Sequence, residues 1–167
     1  MSIAQSLLPE YDHEMAITRK HLERTPIAQL AWKPHPKSMS LGQVAVHLAE
    51  MPSWTTMTMT RTELDISPPG DAGYKPPELT TTEALLAHFD RNVTEGRAAL
   101  AAAKDADFQV PWTLKAGTFE IFTLPRLNVI RTWVLNHIIH HRGQYSVYLR
   151  LRDVPVPQTY GPSADEQ

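Results

Sequence analysis

The spacing of the prolines is the feature that most limits how this 167-residue chain can fold. Fourteen prolines occur, and several are close pairs such as Pro68-Pro69 and Pro76-Pro77. A proline inside a helix removes a backbone hydrogen bond and crowds the preceding turn, so helices tend to begin at a proline or end before one. Four long windows between the proline clusters are therefore the candidates for regular structure.

The first two windows have the spacing of amphipathic helices. In residues 9–24, apolar residues recur at steps of three and four, which predicts one apolar helical face. The second helix is predicted for residues 40–61. Its start, Ser40-Leu41-Gly42-Gln43, is typical of a capping box, in which the serine and glutamine side chains satisfy free backbone N–H groups. Pro52 predicts a kink in this helix.

The second half of the chain predicts two more helices, with strand-like sequence between them. After a Pro/Gly-rich loop at residues 66–79, a third helix should open at Thr81 or Thr82. Residues 108–122 break the helical period and could form a short β-hairpin before the last helix. That fourth helix is predicted from residues 123–125 to about Arg152. The predicted fold is an all-α four-helix bundle that occupies residues 1–167 as a single domain.

Composition and charge exclude several classes of function. The formal net charge is −2 and no run of Lys or Arg occurs, so no nucleic-acid partner is expected. Apolar stretches are interrupted before they reach a membrane-spanning length, and the N-terminus does not have the pattern of a secretory signal. We therefore expect a cytoplasmic protein without a membrane partner. Because the chain has no cysteine, any thiol chemistry would need a thiol brought by a substrate.

Three histidines interrupt the predicted apolar faces of two helices. His137 and His141 are one turn apart on the fourth helix, where side chains at positions i and i+4 are neighbours. On the second helix, His47 stands in the apolar row. Three neighbouring imidazoles are costly to bury without partners, and three charged ones would repel each other. A divalent cation removes both difficulties, because each neutral ring donates a lone pair to it.

The sequence therefore predicts a metal site of His47, His137 and His141 with at least one coordination position left open for water or substrate. Zinc or nickel is the expected ion, and iron or copper would also accept imidazole nitrogen. The alternative for each histidine alone is a core residue with a local hydrogen bond. His140 is expected at the edge of the site. The remaining histidines are expected at the surface or in loops: His13, His21, His35 and His88.

Several motifs together carry a family resemblance. They are Trp32, Ser40-Leu41-Gly42, His47-Leu48-Ala49, Trp54, His137, His141-Arg142-Gly143-Gln144 and Tyr160-Gly161-Pro162. Over about residues 7–166 the sequence resembles the DinB-like superfamily. The resemblance implies a four-helix bundle of up-down-down-up type, often a homodimer, with a divalent metal on three histidines that match His47, His137 and His141. The superfamily includes bacillithiol- or mycothiol-dependent S-transferases, a mycothiol-dependent maleylpyruvate isomerase and many members without an assigned activity.

The leading functional hypothesis is a metal-assisted transfer to a small-molecule substrate that uses a low-molecular-weight thiol as cosubstrate. Arg142 could hold a carboxylate of the thiol or of the second substrate, or form an exposed salt bridge. Gln144 could orient a ligand or simply pack. Glu50 could carry protons or be an ordinary exposed helical glutamate. Two rivals remain: a metal-dependent hydrolase, and a non-catalytic metal-binding protein of the stress response.

Overall fold

The computed structural model describes residues 1–70 and 74–166, and this part of the chain is mostly helical. Four long helical segments, two of them interrupted, are accompanied by one small sheet. The α-helices are α1 (Ile3–Glu23), α2 (Leu41–Glu50), α3 (Ser53–Thr60), α4 (Thr82–Ala102), α5 (Arg126–Val129) and α6 (Asn136–Leu151). The strands are β1 (Glu63–Asp65), β2 (Pro111–Ala116) and β3 (Phe119–Pro125).

Side-chain caps set the start of α2 and of α4, as predicted. The Gln43 backbone N–H donates to Ser40 Oγ at 3.1 Å, and the Ser40 N–H donates to Gln43 Oε1 at 2.7 Å. At α4, the Ala84 N–H donates to Thr81 Oγ1 at 3.1 Å. Each bond satisfies a backbone group that has no partner within its own helix. The predicted capping box and the predicted start of the third helix are confirmed.

Helix α1 begins earlier than predicted. The prediction placed its start near Pro9, whereas the helix starts at Ile3 and contains Pro9. Ser2 and Gln5 form a second capping box, which satisfies free N–H groups of the first turn. Leu7, in the turn before Pro9, is packed in the core. Capping and apolar burial therefore hold this turn helical despite the hydrogen bond that Pro9 removes.

The second helical segment is interrupted at Met51 and Pro52, where a kink was predicted. Helix α4 passes close to this junction. A Cβ atom built on Gly96 would lie 2.5 Å from Tyr11 Oη and 2.9 Å from the carbonyl oxygen of Pro52. Only a residue without a side chain lets α4 approach the α2–α3 junction this closely.

The small sheet is mixed and has the strand order β1-β2-β3. Strands β2 and β3 pair antiparallel and form the predicted hairpin, whose turn contains Gly117 at a φ of 61°. Strand β1 pairs parallel to β2 and was not predicted. The all-α prediction is therefore confirmed for the helices and corrected for the sheet. Within the predicted loop at residues 66–79, residues 71–73 lie outside the described part of the chain.

The last helical segment passes through a π-helical turn, Ile130–Leu135, between α5 and α6. The Asn136 N–H donates to the Arg131 carbonyl, five residues earlier rather than four, so this turn holds an extra residue. After it, the buried positions of α6 are Ile138, Arg142, Tyr145 and Leu149. The inward row predicted through His137 and His141 is therefore displaced, and both histidines lie half-buried beside the core.

The main core lies among the long helices and includes Tyr11, Leu48, Phe89 and Tyr145, all essentially without exposed surface. A smaller apolar cluster, Trp112, Leu114 and Val129, joins β2 to α5. None of the described helices has an apolar stretch long enough to cross a membrane.

Candidate metal centre

The structure brings the three predicted histidines together. His47 projects from α2, and His137 and His141 project from successive turns of α6. The Nε2 atoms of His137 and His141 are 2.9 Å apart, and those of His47 and His137 are 3.5 Å apart. One ligand atom from each ring lies within 4.8 Å of the other two. The i, i+4 spacing on one helix and a facing histidine on another therefore produce a single cluster, which we call the histidine group.

The Nε2 atoms of the rings are directed at one another, and a hydrogen bond holds the His141 ring in this orientation. His141 Nδ1 donates to the side-chain oxygen of Gln144 at 2.9 Å, so its proton is on Nδ1 and its Nε2 lone pair is available. His137 Nδ1 is buried beside the Trp133 carbonyl, without a partner of hydrogen-bond geometry among the described atoms. A metal-binding histidine commonly forms a hydrogen bond with its second ring nitrogen, as His141 does with Gln144, and this bond fixes the ring orientation and the tautomer.

Burial keeps all three rings neutral near pH 7. Desolvation, together with the neighbouring rings of His141 and His137, lowers the pKa of His47 to about 4. The pKa values of His137 and His141 are also lowered, in both cases mainly by burial. Neutral imidazole is the form that binds metal, so the protein itself removes the protons that would compete with a cation.

The nitrogen separations fit one divalent ion. Metal–nitrogen bonds of about 2.0–2.1 Å put two ligating nitrogens about 3.0 Å apart at a right angle and about 3.4 Å apart at the tetrahedral angle. The observed separations of 2.9 and 3.5 Å are close to those two values. Lone pairs at such distances repel each other unless a proton or a cation lies between them. The histidine group could therefore hold a divalent metal ion.

Gln144 connects the histidine group to His140. Its side-chain oxygen accepts from His141, and its side-chain nitrogen donates to His140 Nε2 at 3.0 Å. With the amide in this orientation, its oxygen faces His141 and its nitrogen faces His140, and this arrangement is what assigns the proton of His141 to Nδ1. His140 is exposed and lies at the edge of the group, where it was predicted to be. Gln144 thus contacts two histidines, and its predicted role as a ligand-orienting residue stays a prediction.

Glu50 lies one turn after His47 on α2 and is half-buried. Its carboxylate has no hydrogen bond or ion pair with any residue that the structure describes. Burial without a partner disfavours the charged form, which raises the pKa of Glu50 to about 7. A carboxyl group with this pKa can both accept and release a proton at neutral pH. Its predicted role in proton transfer therefore remains chemically reasonable and stays a prediction.

Two cavities open beside His47 and Glu50, and Tyr74 contributes to both. The first has a volume of about 610 Å³, and its apolar walls include Leu30, Met39, Val46, Pro77 and Leu79. The second has a volume of about 400 Å³, and its apolar walls include Trp54, Met57, Leu64, Ile66 and Pro68. Volumes of this order are typical of small-molecule sites.

Arg142 points away from these cavities. Its guanidinium forms an ion pair with Glu14 at 2.7 Å and donates to Tyr160 Oη at 2.7 Å. Only 2% of Arg142 and 5% of Glu14 are exposed. The exposed salt bridge considered as the alternative is therefore wrong, because the pair is buried. Since every described contact of Arg142 is on the side of Glu14 and Tyr160, Arg142 takes no part in the mechanism proposed below.

His21 is the histidine that the sequence misplaced. It was predicted at the surface or in a loop, but it is completely buried in α1. Its Nδ1 bonds to the Ile17 carbonyl at 2.9 Å, and its Nε2 has no partner among the described atoms. Burial, partly opposed by the bond to Ile17, lowers the pKa of His21. The available signal was its position four residues after Ile17 and next to Leu22, which are also buried.

Comparisons with known proteins agree with this architecture. A family model described as the DinB superfamily matches residues 10–145. A DinB-like protein from Bacillus cereus ATCC 10987 shares 23% sequence identity, with a TM-score of 0.68 over 95% of this chain and 98% of that chain. A DinB-like protein from Bacillus subtilis shares 14% identity, with a TM-score of 0.67 over 97% and 99%. No curated protein gave a match. At these identities the structural similarity shows the fold alone.

Proposed function

Because the chain belongs to the DinB superfamily, we propose that its histidine group holds one divalent metal ion and serves a transferase that uses a low-molecular-weight thiol. Zinc or nickel is the ion we propose, since both accept imidazole nitrogen. The up-down-down-up order of the helices is part of the same proposal. The observation that carries it is the convergence of three neutral imidazoles, one of which, His47, lines both cavities.

The ion, when bound, lowers the pKa of a thiol or water that coordinates it. The protein supplies the rest. His47, His137 and His141 provide the ligand atoms, and Gln144 holds the His141 ring in the orientation that directs Nε2 inward. Glu50 lines both cavities and accepts the proton that a thiol or water releases. The two cavities receive the apolar part of the second substrate. The thiol comes from outside, because the chain has no cysteine.

The cavities favour a catalytic role over a purely metal-binding one. A non-catalytic site would be expected to have its ion enclosed, without space beside it for a substrate. Here the first cavity alone has about 610 Å³ next to His47. A hydrolase remains the second candidate, because the same histidine group and the same Glu50 would serve water as well as a thiol.

We also propose that two copies associate through helix faces. Val147 and Leu151 are apolar residues on the outside of α6 and are 56% and 53% exposed. Adjacent exposed apolar residues are a common feature of interfaces between copies of a chain. Light scattering tests the proposal, and a mass near the 18.8 kDa of one chain would contradict it.

Metal content is the first test of the site. We expect wild-type protein to bind one zinc or nickel ion per chain, and His47→Ala, His137→Ala or His141→Ala to fall far below that. His35→Ala is the matched control, because His35 lies exposed in a loop. His140→Ala should have only a modest effect. Elemental analysis after gel filtration gives the ratio, and a triple alanine variant with wild-type metal content would show that the site is elsewhere.

Thiol-dependent turnover tests the reaction. Bacillithiol, mycothiol and glutathione are each added to a model electrophile with metal-loaded or chelator-treated protein. We expect the loaded protein to accelerate consumption of the electrophile with at least one thiol, and His141→Ala to lose the acceleration. Turnover of esters or phosphates that depends on metal but not on thiol would favour the hydrolase. The absence of metal-dependent turnover with all of these substrates would contradict a catalytic role.

A further inference from the structure

The walls of the two cavities have an unusual balance of charge. Among the described residues that line them, none is lysine or arginine, whereas three are acidic: Glu50, Asp65 and Glu78. The rest are mostly apolar. A carboxylate or phosphate on a substrate would therefore meet low-dielectric walls and like charge, without a side-chain cation to compensate for lost hydration. Only the metal itself would offer positive charge, and an anion bound there would compete with the thiol.

The three acidic residues differ in what they already contact. The Asp65 carboxylate accepts the backbone N–H groups of Ser67 and Gly117, each at 2.9 Å, which lowers its pKa. Asp65 is thereby engaged in holding the end of β1. Glu50 has no hydrogen-bond or ion-pair partner in the described part of the chain, and it belongs to both cavities. Glu78 lines only the first cavity and is exposed, so water solvates its carboxylate. Of these side chains, Glu50 is therefore the one placed to receive a charged group from a ligand.

Aromatic side chains accompany Glu50. Tyr74 lies at the wall shared by the cavities, and Trp54 lines the second one. The face of an aromatic ring attracts a cation, by about 0.5–2 kcal/mol depending on hydration. An apolar wall, two aromatic rings and one unpaired carboxylate are complementary to a molecule with an apolar body and a cationic nitrogen.

We propose that the cavities beside the histidine group select a substrate with a largely apolar body and a cationic nitrogen, which Glu50 binds, and that they reject anionic analogues. This substrate class rests on the proposed function for its place as the second substrate of the thiol transfer. The selection itself is a property of the cavity walls, so it can be measured without metal, thiol or turnover.

The experiment compares three probes that share a phenyl ring and differ in charge: benzyltrimethylammonium, benzyl alcohol and benzenesulfonate. The quaternary nitrogen has no lone pair, so the cation cannot bind by coordinating the metal. Titration calorimetry is performed with zinc-loaded and with chelator-treated protein, above the Glu50 pKa of about 7. In chelator-treated protein we expect the cation to bind best and the sulfonate worst, with about a tenfold difference between these two probes. In zinc-loaded protein the difference should be smaller, because the metal attracts the sulfonate.

Variants test whether Glu50 is responsible. Glu50→Gln should lower the affinity for the cation to about that for benzyl alcohol, and the affinity for benzyl alcohol should not change. Glu50→Asp should keep part of the preference for the cation. Glu83→Gln is the matched control, because Glu83 is an exposed glutamate of α4 that lines neither cavity. Circular dichroism shows that each variant folds.

Three results would overturn the inference: equal affinity for the cation and the sulfonate in chelator-treated protein, an unchanged cation preference in Glu50→Gln, or no binding of any probe. Failure of the proposed function looks different. If the protein binds no metal or shows no thiol-dependent turnover but still prefers the cation through Glu50, the thiol transferase is wrong and the cavity selectivity stands. If turnover depends on metal and thiol but the cavities show no preference for the cation, the transferase stands and the cavity selectivity is wrong.

Discussion

Helix α6 presents two groups of polar side chains that differ in how far their hydrogen-bonding capacity is used. The first, which we call the arginine group, consists of Arg142, Glu14 and Tyr160. Both charges in it are paired, and Tyr160 Oη lies 2.7 Å from Arg142 and 3.0 Å from the Glu14 carboxylate. The second is the histidine group. Its Nε2 atoms converge at separations of 2.9 and 3.5 Å, so their lone pairs are directed at a point that a cation could occupy.

Because of this difference, we expect the arginine group to stabilise the fold and the histidine group to bind a ligand. A buried charge pair with its hydrogen bonds complete holds α1, α6 and the C-terminal segment together and has nothing left to offer a ligand. A set of convergent lone pairs contributes little to folding by itself, because the groups repel until something is bound. Removing a member of the first group should therefore cost stability, whereas removing a member of the second should cost metal affinity.

The largest effect is expected from Arg142→Ala. It leaves Glu14 buried without its counter-ion, which should lower the free energy of unfolding by about 3–5 kcal/mol. Urea unfolding of chelator-treated protein measures the change. The metal content of the folded fraction should stay near that of wild type. A loss of metal binding without a loss of stability would show that Arg142 belongs to the site after all.

An exposed ion pair supplies the control for that experiment. Arg97 and Asp12 make a bidentate pair with distances of 2.8 and 2.9 Å, but both side chains are nearly half exposed. Solvent screens such a pair, so Arg97→Ala should cost much less stability than Arg142→Ala. Comparable losses in Arg97→Ala and Arg142→Ala would mean that burial is not what gives the arginine group its strength.

Gln144→Ala should have the next largest effect, and on the other group. Without the Gln144 side-chain oxygen, the His141 ring loses the acceptor that holds its tautomer and orientation. Loss of such an outer partner commonly weakens metal affinity by about 10–100-fold. Competition with a chromogenic chelator measures the affinity. The free energy of unfolding of metal-free protein should change by less than about 0.5 kcal/mol, because Gln144 is exposed.

Much of the fold could be predicted from the sequence because its signals are local. The capping box at Ser40, the start of α4 and the interruption at Pro52 all depend on residues within one or two turns. Strand β1 could not be predicted, because it has three residues and exists only through pairing with β2. The π-helical turn Ile130–Leu135 could not be predicted from the sequence either, since no local pattern of residues marks it.

The same distinction applies to the two polar groups. Two members of the histidine group are four residues apart on one helix, so their proximity could be predicted from spacing, and His47 followed from its place in an apolar row. The partner of Arg142 is Glu14, on the first helix. Nothing near Arg142 in the sequence indicates that pairing, so the prediction considered a ligand contact or an exposed salt bridge and did not foresee a buried ion pair. Burial of His21, by contrast, had a local signal in its position four residues after the buried Ile17.

Tyr160→Phe should produce a smaller loss of stability than Arg142→Ala. The substitution removes a hydroxyl that bonds to both charges but leaves the ion pair itself intact. We expect a cost of about 1–2 kcal/mol by urea unfolding, because hydrogen bonds to charged groups exceed the average one. Tyr148→Phe is the control, since the Tyr148 hydroxyl makes one 3.3 Å bond and should matter little. A loss as large as that of Arg142→Ala would make Tyr160 an equal partner in the arginine group.

The smallest effect is expected from pH, which acts on the histidine group and on Glu50 in opposite directions. The folded-state pKa of His47 is about 4, below the usual 6.5 of an unfolded chain. The unfolded chain therefore binds more protons in this window, and stability falls as the pH drops from about 6.5 toward 4. The folded-state pKa of Glu50 is about 7, above its usual 4.5. As the pH drops over the same window, the carboxyl group of Glu50 takes up a proton in the folded protein, and its contribution to stability rises.

Two variants of metal-free protein separate these opposing contributions. His47→Leu removes a group that destabilises the fold in acid, so the decline in the free energy of unfolding between pH 6.5 and pH 4 should become shallower. Glu50→Gln removes the compensating group, so the decline should become steeper. Urea unfolding at several pH values measures both slopes. Because both side chains are half-buried, solvent screening keeps these changes below the effect of Arg142→Ala. A steeper decline in His47→Leu would mean that His47 is charged in the folded protein, and the neutral imidazole that metal binding needs would then be absent.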